Sequence, residues 1–337
     1  MSSHAPSNLP SEDKRPAPRR IGLVGTGSVG CGWAAIYLAR GYEVIATDPS
    51  AEAPARARAF VAESWDVLRK LGVAQADAPP LHNLSFVENA GAVGASADLV
   101  HENALENLAL KQEVYAELER SAPPDLIIAS STGGIPPTQL QAKMTHPERL
   151  VVCHPFNPPH LVPLVEIIGG EKTSPGIVDF AMTHVRSLGK KPIRVDKEVT
   201  AFLTNRLQFA LLREAVHCVA EGIASPRAIE DAMRYGLGPR WAVMGALTTL
   251  TLAGGPGGMP HVLTIAPELQ KCMDALGSPD LTSPAVQSAL IKAAQDITAG
   301  QPLAEWIAWR NDELVKLLLA VDPSHDPAGQ TPTASRP

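Results

Sequence analysis

In the first two thirds of the chain, short apolar runs alternate with stretches of helical periodicity. Arg20–Val24, Tyr42–Asp48, Leu84–Val87, Asp98–His101, Leu126–Ala129, Leu150–Cys153, Leu164–Ile168 and Lys191–Val195 read as strands. Between them, Trp33–Arg40 is helix-like and stops at Gly41. Ala51–Leu71 repeats with helical spacing, an alanine-rich segment precedes Asp98, and Leu108–Leu118 repeats again before Pro123-Pro124 stops it. Thr173-Ser174-Pro175 opens a further helix, Gly176 to Leu188, by N-cap and first-position proline signals. From Ala201 the pattern is helical nearly to the end. The expected helices are Ala201–Glu221, Pro226–Tyr235, a central group around Trp241–Leu252, Pro284–Thr298 and Leu303–Val321. Gly222, Gly236 and Gly254-Gly255-Pro256-Gly257-Gly258 are the expected linkers. The pattern predicts an α/β, Rossmann-like domain over residues 20–196 and an all-α domain over 197–322. The segments 1–19 and 323–337 are expected to be disordered tails.

The first strand, helix and second strand enclose Gly25-Thr26-Gly27-Ser28-Val29-Gly30. A lone GxGxxG is weak, but here it sits in the strand–loop–helix–strand context it requires. Gly25 permits the tight turn, Gly27 gives the pyrophosphate room to approach the backbone, and Gly30 lets the helix pack close to the strand. The helix N-terminus offers free N–H groups and a positive dipole end to phosphates. Asp48 ends the second strand, where a carboxylate accepts hydrogen bonds from the adenosine ribose hydroxyls and repels a 2′-phosphate. Pro49-Ser50 supply no cation to offset it, so the expected cofactor is NAD rather than NADP.

Composition narrows the setting. The 337 residues are 45% hydrophobic, enough for a sizeable core, and the net charge is -6 without a long basic run. That argues against nucleic acid or an anionic membrane as the main partner. No apolar run approaches the roughly 20 residues of a membrane span, and the first 20 residues lack a signal-peptide core. Cys31, Cys153, Cys218 and Cys272 are scattered, none at metal-ligand spacing. Reduced thiols, a cytoplasmic protein and no metal site are expected.

A second constellation lies further on. His154-Pro155-Phe156-Asn157-Pro158-Pro159-His160-Leu161-Val162-Pro163-Leu164-Val165-Glu166 joins two apolar runs through four prolines. Proline fixes φ and restricts the residue before it, so this connection is stiff and non-helical. It can hold His154 and Glu166 in the fixed geometry that an acid/base pair needs. Glu106 and Lys111 stand at the start of the Leu108 helix. They read either as an ordinary solvated helix start or as groups near the nicotinamide-side ribose. Ser130-Ser131-Thr132-Gly133-Gly134 follows the Leu126–Ala129 strand, at the strand end where ligands of open α/β sheets bind.

With these features in order, the chain resembles the L-3-hydroxyacyl-CoA dehydrogenase superfamily over about residues 20 to 322. Within it, the His154-to-Glu166 stretch is most similar to the branch of L-gulonate 3-dehydrogenase (lambda-crystallin) and carnitine 3-dehydrogenase. Thr200-Ala201-Phe202-Leu203-Thr204-Asn205-Arg206 resembles the segment that opens the family's helical domain. The resemblance implies an NAD-dependent dehydrogenase with a 6-phosphogluconate-dehydrogenase-like all-α domain. It makes His154 the base that takes the C3 hydroxyl proton, and Glu166 the group that holds the imidazole in the right tautomer. It gives Asn205 and Asn157 polar contacts to substrate and nicotinamide, and puts Glu106 and Lys111 against the cofactor. It also implies a homodimer through the helical domain, with a small hydroxy acid as substrate.

One position departs from the family. Gly133 stands where the family has a serine that contacts substrate oxygen and cofactor. Ser131 or Thr132 covers that role, or a water does, or the substrate has changed. A free hydroxy acid also needs a cation for its carboxylate, and Arg240, followed by Arg206, is the candidate. Three readings stay open: a free-acid enzyme of the gulonate or carnitine kind, a 3-hydroxyacyl-CoA enzyme, and a non-catalytic NAD-binding protein of the crystallin kind.

Overall fold

A computed structural model describes residues 18–321. It divides into two compact units, the first ending at Asn205 and the second beginning at Arg206. The expected tails lie outside the described residues except for Pro18 and Arg19. These two are held in place: the Arg19 N–H donates to Asp98 and its carbonyl accepts from Glu43.

The first unit carries eight strands: β1 (Arg20–Val24), β2 (Glu43–Thr47), β3 (Leu84–Phe86), β4 (Leu99–Glu102), β5 (Ile127–Ser130), β6 (Leu150–Pro155), β7 (Leu164–Gly169) and β8 (Lys191–Arg194). They form one sheet in the order β3-β2-β1-β4-β5-β6-β7-β8. All neighbours pair parallel except β6 and β7. Helices α1 (Ser28–Ala39), α2 (Ala53–Lys70), α3 (Ala90–Ser96), α4 (Leu108–Ser121), α5 (Pro137–Gln141) and α6 (Pro175–Ser187) connect them. Both sheet faces are covered, as a parallel sheet requires. One apolar cluster gathers Trp33, Ile36, Val61, Leu68, Cys153 and Val185. The other gathers Val93, Tyr115, Leu118, Leu140, Val152 and Phe202.

The first core holds an uncharged polar device. The Tyr37 hydroxyl lies 2.7 Å from His101 Nε2 and 3.0 Å from His184 Nε2. Burial pushes His101 down to about 3, with help from His184, and His184 down to about 4. Both are therefore neutral when folded and near 6.5 when unfolded. The unfolded chain binds the extra protons, so this stability is complete above pH 6.5 and lost as pH falls toward 4. Each histidine should cost about 1.4 kcal/mol per pH unit in that window. Urea unfolding at several pH values checks this. His184→Gln should flatten the acid slope, and an unchanged slope would remove His184 from the device.

The second unit is all helix: α7 (Thr204–Ala220), α8 (Pro226–Asp231), α9 (Gly238–Val243), α10 (Ala246–Ala253), α11 (Gly258–Val262), α12 (Ala266–Asp274), α13 (Pro284–Thr298) and α14 (Leu303–Ala320). Residues 232–237 continue α8 as a π-helical stretch that runs straight into α9. Gly236 thus lies inside a helical run and is not the expected linker. The real break comes at Met244-Gly245, where Met244 is extended. The Gly254–Gly258 region does break the chain as expected, with Gly255 and Gly258 at positive φ.

The boundary falls later than the expected 196/197. Phe202 is fully buried in the core of the first unit, and the backbone of Leu203 and Thr204 is bonded to Glu166. Residues 202–205, including the first two residues of α7, are therefore tied to the first unit.

Candidate active site

The cofactor end of the sheet is built by glycines that the geometry requires. The chain leaves β1 at Gly25 with φ +89, and a Cβ there would lie 2.7 Å from the Asn103 carbonyl oxygen. A Cβ at Gly30 would collide with the Gly25 carbonyl. At Gly27 nothing lies within 4 Å of a built Cβ, so a pyrophosphate can approach the backbone there. Gly27 caps α1 without any side-chain bond, which leaves the first-turn N–H groups for phosphate oxygens. These residues fit NAD.

Asp48 is set firmly at the end of β2. Thr26 is buried and donates both its N–H (2.7 Å) and its hydroxyl (2.9 Å) to Oδ2, while Ser50 N–H donates to Oδ1 at 3.0 Å. Burial raises the Asp48 pKa, but these donors and Arg56 outweigh it and hold the carboxyl below its usual range. Pro49 and Ser50 supply no cation, but the Arg56 guanidinium on α2 lies 3.8 Å from Oδ1. α2 starts so soon after β2 that its first turns bring Arg56 back to the strand end. Arg56 is matched by the Asp48 charge, so it does not leave a free cation for a 2′-phosphate. Asp48→Ala should weaken NAD about 10- to 100-fold, since hydrogen bonds to a charged group contribute about 1.5–3 kcal/mol. NADP should weaken less. Calorimetric titration checks this, and an unchanged NAD Kd would take Asp48 out of the site.

The second half of the site is a cross-strand pair. His154 on β6 stands opposite Glu166 on β7 in the antiparallel register. Nδ1 of His154 is 2.8 Å from Oε2 of Glu166. The strand register, more than the proline turn, fixes their geometry. Glu166 is fully buried, and its Oε1 accepts from the N–H groups of Leu203 (3.1 Å) and Thr204 (2.7 Å). Burial raises its pKa, and the bonds from His154 and Thr204 reverse this to a net lowering. An ionised Glu166 wants a donor at Nδ1, which makes Nε2 the basic nitrogen of a neutral imidazole. Phe156 and Phe202 pack on the ring, with centroids 4.6 and 5.7 Å away.

A buried ionic network supports the loop beside this pair. Glu102, at the end of β4, is fully buried and accepts from Lys111 Nζ, the Ala104 N–H, the Tyr115 hydroxyl and the Ser130 hydroxyl, each at 2.7 Å. Burial and the Glu102 charge push the Tyr115 hydroxyl well above its ordinary pKa. Lys111 is 1% exposed and also donates to the Ala104 carbonyl at 3.0 Å. Its ammonium is turned inward, so it reaches the site through Glu106, 3.6 Å away. Glu106 Oε1 in turn accepts from the Thr132 hydroxyl (2.6 Å) and the N–H groups of Gly133 (3.0 Å) and Gly134 (3.1 Å). The Gly133 carbonyl accepts from Asn205 Nδ2 at 2.8 Å.

The structure therefore gathers His154, Glu166, Glu106, Gly133 and Asn205 in the first unit. It turns other expected residues to different tasks. Thr132 is buried and committed to Glu106, and the Ser131 hydroxyl accepts from the Trp33 indole at 3.1 Å. Thr26 positions Asp48. Asn157 is exposed on the turn after β6. Ser28 is exposed and Val29 half-buried at the start of α1. Arg206 and Arg240 belong to the second unit and are exposed, and Arg240 Nε donates to the Gly236 carbonyl four residues back. Sequence reasoning missed Glu102, Phe202 and Lys190. Lys190 is buried beneath the proline turn, where its ammonium donates to the carbonyls of Pro159 and Val162. Burial pulls it down to about 7. A charged residue closing an apolar strand was the only available sign for Glu102.

Known proteins resemble this chain over most of its length. The model of the 3-hydroxyacyl-CoA dehydrogenase NAD-binding domain matches residues 20–199, and that of the family's C-terminal domain matches residues 202–295. An L-carnitine dehydrogenase of Streptomyces coelicolor is 42% identical over 303 residues, covering 90% of this chain and 94% of the relative. One from Burkholderia mallei is 45% identical over 279 residues, covering 82% and 85%. Among solved structures, a 5-formyl-3-hydroxy-2-methylpyridine 4-carboxylic acid 5-dehydrogenase, an NAD+-dependent dismutase, superposes with TM-score 0.78 at 34% identity. It covers 90% of this chain and 98% of the other. A 3-hydroxybutyryl-CoA dehydrogenase from Escherichia coli K12 superposes with TM-score 0.60 at 27% identity, covering 80% and 60%.

Proposed function

The chain belongs to the 3-hydroxyacyl-CoA dehydrogenase family of NAD-dependent oxidoreductases acting on CH–OH groups, and from that premise we propose that it oxidises a free L-3-hydroxy acid of the carnitine or gulonate kind with His154 as general base. The observation that carries the base is the 2.8 Å contact between His154 Nδ1 and the buried Glu166 carboxylate. The names of the relatives at 42–45% identity support the free-acid substrate class.

In this mechanism the substrate hydroxyl donates to His154 Nε2. The imidazole takes that proton as the C3–H pair leaves as hydride, and the C3–O bond becomes a carbonyl. NAD, when bound, supplies the hydride acceptor. Glu166 keeps Nδ1–H in place and stabilises the imidazolium that forms. The two backbone donors on its other oxygen keep it ionised. Asn205 Nδ2 has a second proton beyond the one given to Gly133, and that proton can polarise the C3 oxygen.

Steady-state kinetics on L-carnitine, L-gulonate and 3-hydroxybutyryl-CoA, each with NAD and NADP, tests the reading. Highest kcat/KM for a free acid with NAD is expected. Preference for the CoA thioester would replace the free-acid reading with its rival. We also propose a homodimer paired through the helical unit. That unit exposes Leu247 (77%), Val243 (72%) and Leu303 (68%), among others, in the single chain. Such apolar surface is normally covered. Sedimentation should give twice the 35.6 kDa chain mass, and a monomer at micromolar concentration would refute the pairing.

A further inference from the structure

Gly133 differs from the glycines of the cofactor loop, because nothing in its own conformation demands glycine. It is absent from the positive-φ positions, where Gly25 is found. A Cβ built on it meets no backbone wall. It lies 3.4 Å from His154 Nε2, 3.7 Å from Asn205 Nδ2 and 3.9 Å from His154 Cδ2, all ordinary contact distances. Alanine or serine would fit the backbone, and its side chain would stand against the basic nitrogen. The recess left by glycine is also held open firmly. The Gly133 and Gly134 N–H groups are bonded to Glu106, and the Gly133 carbonyl is bonded to Asn205.

We propose that Gly133 is a specificity-determining residue: its missing side chain leaves a recess beside His154 Nε2 that accepts bulk carried by the substrate next to its carbinol. This rests on the dehydrogenase reading above and names the substrate class more closely. A hydroxyl that gives its proton to Nε2 must sit within about 2.6–3.2 Å of it. A side chain at residue 133 would touch the same nitrogen, so it would compete with whatever flanks the carbinol carbon. With glycine there, the space of the absent Cβ, about one heavy atom, is left to a branch of the substrate. The substrates that use this room are secondary alcohols branched at the carbon next to the carbinol. A Cβ at Gly134 would also fit, but it would face the backbone of Ala201 at 3.7 Å rather than the His154 imidazole.

The test compares 3-hydroxybutyrate with 3-hydroxy-4,4-dimethylpentanoate, which differ only by three methyl groups on the carbon beside the carbinol. The ratio of kcat/KM, branched over unbranched, should fall about 10- to 200-fold in Gly133→Ala, the discrimination a single methyl gives in a pocket. Gly133→Ser should lower it at least as far. Gly134→Ala should leave the ratio where it is. An unchanged ratio in Gly133→Ala, or an equal fall in Gly134→Ala, overturns the proposal. If the wild type turns over neither acid, the dehydrogenase reading fails on these substrates. The recess is then judged by the Kd values of the two acids for the enzyme–NAD complex, and the same ratio in wild type and Gly133→Ala overturns it.

Discussion

His154→Asn should lower kcat by about 10²–10⁴-fold, the range for loss of a positioned general base, while NAD affinity stays within about twofold. Asparagine keeps a polar group near Glu166 but has no basic nitrogen where Nε2 stood. The buried carboxylate also keeps the Leu203 and Thr204 donors, so the replacement does not strand it. The glycine loop and Asp48 sit on β1 and β2, away from β6 in the strand order, and are untouched. Fluorescence titration with NADH separates lost binding from lost chemistry. A variant that turns over within threefold of wild type would end the assignment of His154 as base.

Lys111→Met should cost about 3–5 kcal/mol of stability, the usual penalty for leaving a buried charge without its partner. Glu102 is fully buried, and among the described residues Lys111 is the only cation bonded to it. The Ala104, Tyr115 and Ser130 donors remain, which places the expected value toward the lower end. Adding Glu102→Gln to Lys111→Met should recover much of the loss, because the uncompensated charge goes with it. Urea unfolding of the two single variants and the double variant measures both numbers. A loss below about 1 kcal/mol for Lys111→Met would show that the pair contributes little. This network also anchors Glu106 and, through it, the loop of Thr132, Gly133 and Gly134.

The physical reasons why parts of this molecule were legible in its sequence differ from site to site. The glycine turn could be read because each glycine answers a local demand of φ or close approach, with the strand, helix and Asp48 at fixed spacing around it. The start of α6 at Pro175 was visible for a similar reason: Ser174 and Pro175 mark a helix N-terminus within a few residues. His154 and Glu166 were found together, but the reason given was the stiff proline turn. The pairing depends on the antiparallel register of β6 and β7, which only the assembled sheet reveals.

Glu102 was invisible for the opposite reason. A carboxylate at a strand end reads as surface, and its four donors come from the loop after β4, from α4 and from the neighbouring strand β5. The resemblance put Lys111 against the cofactor and left Thr132 as one candidate for the missing serine's role; the fold bonds these side chains to Glu102 and Glu106. Gly236 suggested a linker because glycine is a poor helix former. It is carried instead within the continuous helical run from α8 to α9. Phe202 and the Glu166 contacts carry the first unit past the point where the strand and helix pattern suggested its end, because these tertiary contacts leave no local signature.

The mechanism turns on which nitrogen of His154 carries the proton. Long-range ¹H–¹⁵N correlation spectra of the enzyme with ¹⁵N-labelled histidine, recorded where the imidazole is neutral, report this directly. His154 is assigned by the signals lost in His154→Asn. The expected spectrum has a protonated Nδ1, held by Glu166, and an unprotonated, basic Nε2. A protonated Nε2 beside a bare Nδ1 would contradict the mechanism, since no lone pair would then face the substrate hydroxyl.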